Sequence, residues 1–141
     1  MRVLIVEDEW LVADDLEYEI VEAGYEVVGI ARTKAEALAE AAAGRPDVAV
    51  MDVRLAGGDN GVDVARHLKT EYDVRCIFAS GTLTDQIETI RQFDPEPLGL
   101  LSKPVQRHDL LKALSRAEMS LGNDNAEPMV PARAAAEPQV N

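Results

Sequence analysis

Short apolar runs alternate with helically spaced stretches along the whole chain. Arg2 to Val6 is almost continuously apolar, which reads as a strand covered on both faces. Trp10, Leu11, Ala13, Asp14, Leu16, Tyr18, Ile20 and Val21 sit in a helix that Gly24 can end. Glu26 to Ala31 reads as a second strand. Thr33-Lys34-Ala35-Glu36 has the form of a capping box, in which Thr33 accepts from the Glu36 amide and the Glu36 carboxylate reaches back. The Ala-rich helix behind it runs to Ala43, with Gly44 as its stop. Asp47 to Val53 is a third strand, Val62 to Tyr72 a helix, and Val74 to Ser80 a fourth strand. Thr82 to Phe93 is a weaker helix, ended by Asp94-Pro95-Glu96-Pro97. Leu98 to Ser102 is a short fifth strand. Val105 to Leu121 is the last helix, with Leu110, Leu111, Leu114, Ala117 and Leu121 on its apolar side and Gly122 as its stop.

Strands alternating with helices of this length predict an α/β fold, a parallel sheet with helices on both faces. In such folds ligands bind beyond the carboxyl ends of the strands, where the strand order reverses. Beyond Gly122 the pattern fades. Residues 123–141 are rich in Ala, Pro and polar residues and offer little to bury, so a flexible tail is expected there, behind a domain of residues 1–122.

Charge narrows the partners. The net charge of −12 repels phosphate backbones and anionic lipid, so neither nucleic acid nor membrane is an expected partner. No apolar run approaches the ~20 residues a membrane helix needs. The first strand is too short for a signal peptide and meets Glu7-Asp8-Glu9 at once, which points to a cytoplasmic protein. The single cysteine, Cys76, sits beside Ile77 and Phe78 and reads as a buried core thiol in a reducing compartment.

The candidate chemistry lies just past the strands. Glu7 and Asp8 follow the first, Asp52 ends the third, Ser80 ends the fourth, and Lys103 follows the fifth. Each alone has an ordinary explanation. An acid at a helix start complements the helix dipole, a strand-end serine is commonly a satisfied hydroxyl, and a lysine is commonly solvated. Asp52 is harder to dismiss, because it follows Val48-Ala49-Val50-Met51 where an unpartnered charge is costly. Taken together, the acids can recruit a hard divalent cation such as Mg²⁺, which prefers oxygen ligands. A cation and a lysine would let a carboxylate attack phosphorus despite like charge, and a neighbouring hydroxyl could hold a phosphoryl oxygen.

These residues resemble the receiver domain of two-component response regulators. The resemblance covers Met1 to about Leu121 and rests on Val3-Leu4-Ile5-Val6-Glu7-Asp8-Glu9, Val50-Met51-Asp52-Val53-Arg54-Leu55, Gly61, Phe78-Ala79-Ser80-Gly81 and Ser102-Lys103-Pro104. It implies a flavodoxin-like, doubly wound, five-stranded parallel sheet of order 2-1-3-4-5 with five helices. It also implies that Asp52 is the phosphoacceptor, Ser80 the switch hydroxyl and Lys103 the phosphate-contacting ammonium. Asp8, Asp52 and the backbone carbonyl of Arg54 become direct Mg²⁺ ligands, Glu7 acts through water, and the Lys103–Pro104 peptide becomes cis. The implied phosphodonor is a sensor histidine kinase or a histidine phosphotransfer protein. The domain is then a phosphoacceptor rather than an enzyme.

The chain departs from the usual receiver pattern at Leu100, where Tyr or Phe normally stands three residues before the lysine. Phe78-Ala79-Ser80-Gly81 resembles the Phe-Ala-Thr-Gly-x-Tyr subclass of alphaproteobacterial stress-signalling receivers, with Ser for Thr and Leu83 for Tyr. With only the short tail after the last helix, output is expected through protein contact or phosphate transfer, as a stand-alone sink, relay or binding switch. The face of the fourth helix, fifth strand and fifth helix, including Arg91, Gln92 and His108, is the implied partner surface. A Mg²⁺-dependent aspartate-nucleophile phosphatase is the alternative, but it requires an acid two residues after the nucleophile, where this chain has Arg54. A flavin site on the same fold would need small hydroxyl residues after the first strand, where Glu7-Asp8-Glu9 would repel a phosphate.

Overall fold

The computed structural model describes residues 1–126. Five strands alternate with five helices: β1 (Arg2–Val6), α1 (Trp10–Glu22), β2 (Glu26–Ala31), α2 (Lys34–Gly44), β3 (Val48–Asp52), α3 (Gly61–Tyr72), β4 (Arg75–Ser80), α4 (Leu83–Phe93), β5 (Gly99–Ser102) and α5 (Arg107–Ala126). A short 3-10 turn, Ala56–Gly58, lies between β3 and α3. The strands form one parallel sheet of order β2-β1-β3-β4-β5, the flavodoxin-like arrangement expected from the sequence.

Alternation along each strand splits the core in two. Leu4, Val6, Ala49, Met51, Cys76 and Phe78 pack toward α2, α3 and α4. Val3, Ile5, Val48, Val50, Ile77 and Ala79 pack toward α1 and α5, against Leu16, Ile20, Leu110 and Leu114. β3 is central and buried along its whole length, so its final residue, Asp52, is carried into a poorly solvated position.

Several helix ends differ from the sequence reading. Gly24 turns the chain with φ 96°, as expected, but Gly44 does not. The left-handed residue after α2 is Arg45 (φ 47°), and Gly44 instead lets the helix approach β2, since a Cβ there would sit 3.1 Å from Val28. The stop expected at Gly122 is also absent: α5 continues to Ala126. A glycine ends a helix when the chain uses its access to positive φ, and Gly122 is not among the positive-φ glycines. Otherwise it costs an exposed helix only about 1 kcal/mol against Ala. The expected tail therefore begins inside α5, and residues 127–141 lie outside the described residues. In α1, only Ala13, Leu16 and Ile20 are buried, while Trp10, Leu11, Tyr18 and Val21 face outward. Among the described residues no helix is long and apolar enough to cross a membrane.

Candidate functional site

The parallel strands deliver Glu7, Asp8, Asp52, Ser80 and Lys103 to one edge of the sheet. Glu7 follows β1 directly, and its amide donates to Ala31 O of β2 at 2.8 Å, which fixes the chain as it leaves the strand. Asp52 is the last residue of β3 and Ser80 the last of β4, and the two strands are in register one residue earlier on β4, at Asp52 and Ala79. Lys103 follows β5, and its amide donates to Ser80 O at 3.0 Å. The Lys103–Pro104 peptide is cis, as the resemblance implied.

Glu7, Asp52 and Ser80 are the buried polar residues among those described. Carboxylate oxygens of Glu7, Asp8 and Asp52 lie within 4.8 Å of one another. Lys103 Nζ stands between two of them, 2.8 Å from Glu7 Oε1 and 3.3 Å from Asp52 Oδ2. The other Glu7 oxygen accepts from the Glu9 amide at 3.1 Å, and Asp52 Oδ1 accepts from the Arg54 amide at 3.2 Å. Glu7 is thus tied at both oxygens, while no described residue donates a hydrogen bond to the Asp8 side chain.

One ammonium faces three carboxylates. Burial raises the Asp52 carboxyl to about 7, and the neighbouring Glu7 adds to the rise; Lys103 and the Arg54 amide act against it. Burial would by itself lower the Lys103 ammonium, but its hydrogen bond to Glu7 and the charge of Asp52 hold it above its ordinary value. A cluster with this imbalance suits a hard cation with oxygen ligands.

The backbone after Asp52 completes the rim. Leu55 N donates to Asp59 O at 3.1 Å and Gly61 N to Val53 O at 2.7 Å, so Arg54 and Asn60 face one another in a small antiparallel bridge. That pairing uses the groups of the flanking residues and leaves the Arg54 carbonyl without a hydrogen-bond donor among the described residues. Gly61 is required at the return point, because a Cβ would lie 2.0 Å from Asp52 O and 2.8 Å from Val53 Cα. Asn60 then caps α3, its Oδ1 accepting from Val62 N at 2.8 Å.

Ser80 lines the same cleft as Asp8, Asp52, Arg54 and Lys103, together with Thr82. Its hydroxyl accepts from Thr82 N at 3.0 Å and lies 3.3 Å from Thr82 Oγ1. Leu100 is half-buried and packs against the core on the α2, α3 and α4 side. Arg91, Gln92 and His108 are exposed.

In the sequence, Gly61 stands only among the residues that carry the resemblance, and Asp59 has no assigned role. Neither residue carries a local signal of its role, because both roles depend on atoms brought close by the fold.

The model of the response regulator receiver domain matches residues 3–115. The chain belongs to the response regulator receiver family. Receivers of this family serve two-component signalling. The Phyllosphere-induced regulator PhyR of Methylorubrum extorquens is 35% identical over 117 residues, covering 82% of this chain and 43% of that protein. The transcriptional regulatory protein PdtaR of Mycobacterium tuberculosis is 34% identical over 117 residues, covering 82% of this chain and 56% of that protein. Among solved structures, the response regulator PhyR from Brucella abortus aligns with a TM-score of 0.77 at 32% identity, over 89% of this chain and 50% of that one. The PhyR receiver domain of Erythrobacter litoralis aligns with a TM-score of 0.75 at 30% identity, over 84% of this chain and 89% of that domain. The chain spans about half the length of the curated relatives it matches.

Proposed function

We propose that this receiver takes a phosphoryl group onto Asp52 from a phosphohistidine of a sensor histidine kinase or a histidine phosphotransfer protein. The observation that carries the reading is the cluster itself: three carboxylates within 4.8 Å, with the Lys103 ammonium 2.8 Å from one and 3.3 Å from another. In the transfer a carboxylate oxygen of Asp52 bonds to phosphorus as the phosphorus–nitrogen bond breaks, and the leaving imidazole keeps its electron pair and takes up a proton. Lys103 offsets negative charge beside Asp52, and the Ser80 hydroxyl binds a phosphoryl oxygen after releasing its contacts to Thr82. A bound Mg²⁺ supplies charge neutralisation at the phosphoryl oxygens. Asp8, Asp52 and the free carbonyl of Arg54 would hold that ion directly, and Glu7 would act through water.

The domain is a signalling phosphoacceptor whose only chemistry is on its own carboxylate. A cytoplasmic location suits that donor and the reduced thiol of Cys76. The similarity to PhyR, called a stress response regulator in one structure, supports a stress-signalling setting. The exposed face of α4, β5 and α5 is the surface we assign to a downstream protein. Wild type and Asp52→Ala, each incubated with Mg²⁺ and acetyl phosphate, should differ in mass by one phosphoryl group carried by the wild type alone. Equal labelling of both would overturn the assignment.

A further inference from the structure

The loop that carries Arg54 is anchored by Leu55, buried in the core, and has little to hold it beyond that residue. Gly57 and Gly58 are consecutive left-handed residues at φ 75° and 81°, and a Cβ on either would meet nothing within 4 Å. Such a segment has much conformational freedom to lose. Its internal bonds join residues of the same excursion: Leu55 to Asp59, Gly61 to Val53, and Val62 to Asn60. Among the described residues, one hydrogen bond ties residues 55–60 to an element other than β3 and α3. It runs from Lys34 N, the first residue of α2, to Asp59 Oδ2 at 2.9 Å.

That bond suits both partners. The amides of the first helical turn have no intrahelical acceptor, and the helix N-terminus favours a negative charge. In α2, Thr33 Oγ1 accepts from Glu36 N at 3.2 Å and Glu36 Oε1 accepts from Arg32 N at 2.8 Å. Lys34 N is left over, and Asp59 accepts it from across the sheet edge. Close by, Lys34 Nζ makes a separate ion pair with Asp63 Oδ2 of α3 at 2.9 Å.

We infer that Asp59 is a positioning residue for the metal site, acting through the backbone amide of Lys34. By pinning the far end of the loop to α2, it fixes the Arg54 peptide, whose amide holds Asp52 Oδ1 and whose carbonyl is free for a cation. This rests on the reading of Asp8, Asp52 and Arg54 as Mg²⁺ ligands.

Calorimetric titration of the full chain with Mg²⁺ tests it. Asp59→Ala should bind about three- to tenfold more weakly than wild type, the reach of one lost hydrogen bond. Asp59→Asn keeps an acceptor oxygen and should bind nearly as wild type. Lys34→Pro deletes the amide donor together with the Asp63 ion pair, at a first-turn position where proline is well tolerated, and should match Asp59→Ala. Lys34→Ala removes the Asp63 ion pair but keeps the amide, and should leave the affinity unchanged. Labelling of Asp59→Ala by acetyl phosphate should be slow at low Mg²⁺ and recover at saturating Mg²⁺, which a general folding defect would not do. Wild-type affinity in Asp59→Ala, or equal loss in Lys34→Ala and Lys34→Pro, overturns the inference alone. No saturable Mg²⁺ binding by the wild type, with Asp8→Ala indistinguishable from it, overturns the metal-site reading and the inference with it.

Discussion

The two ends of the sheet each hold one cation against carboxylates, with opposite exposure to water. At the amino ends of the strands, Arg2 pairs with Glu26 at 3.0 Å and gives its amide to Asp47 at 2.7 Å. Its guanidinium also donates to Gly44 O, and the Arg2 and Glu26 side chains remain 43% and 62% exposed. Water screens that pair, and exposed pairs contribute little. At the carboxyl ends, Lys103 is 19% exposed, Glu7 1% and Asp52 7%, and the one ammonium pairs with two of three clustered carboxylates. The first arrangement is complete as it stands. The second is short of positive charge in a place where water cannot make up the difference, as expected of a site that binds a cation and a phosphoryl group.

Removing one cation from each end tests this contrast most strongly. Lys103→Met at pH 8 leaves Glu7 and Asp52 buried with no counter-charge and should cost about 3 kcal/mol in urea unfolding. Arg2→Met should cost about 1 kcal/mol or less. Similar losses in the two variants would show that burial does not separate the two ends.

Gly61→Ala should rank next. The new methyl would press on the backbone of Asp52 and Val53 rather than on a movable side chain. A loss of about 1–3 kcal/mol is expected, with slower labelling by acetyl phosphate, because the strain falls on the residue carrying the proposed acceptor carboxylate. Unchanged stability and labelling would mean that the loop yields at no cost to the site.

The last expected effect is a gain. Asp52 titrates at about 7 in the folded protein, raised from 3.8. Between those values the folded state holds a proton that the unfolded chain has released, so this group's contribution to stability falls as pH rises through that window. Without divalent metal, Asp52→Asn should therefore melt higher than wild type at pH 8, and the gap should close toward pH 4. A variant less stable than wild type at pH 8 would show that Asp52 is well compensated without a metal.

Much of this was legible along the chain. The apolar runs at Arg2–Val6, Val48–Asp52 and Arg75–Ser80 are long enough, and uniform enough, to mark buried parallel strands. Glu7, Asp8, Asp52, Ser80 and Lys103 stand out because each follows such a run. Helix ends were less legible. Gly44 and Gly122 have the composition of stops, but one serves close packing on β2 and the other lies within α5. Outward-facing Trp10, Leu11, Tyr18 and Val21 fit the same helical spacing as the buried face of α1, so periodicity alone did not separate the two.

The sequence by itself determined the order of strands and helices, and which residues stand at the strand ends, because burial and helix periodicity are written in residue types and spacing. Only the tertiary structure decided that Lys103 bridges Glu7 and Asp52, that Gly61 must lack a side chain, and that Asp59 reaches the first amide of α2. Those contacts join residues from 8 to 96 positions apart, the last being Lys103 and Glu7. Local propensity carries no record of such pairs; they exist only once the sheet has brought the ends of β1, β3 and β5 to one edge.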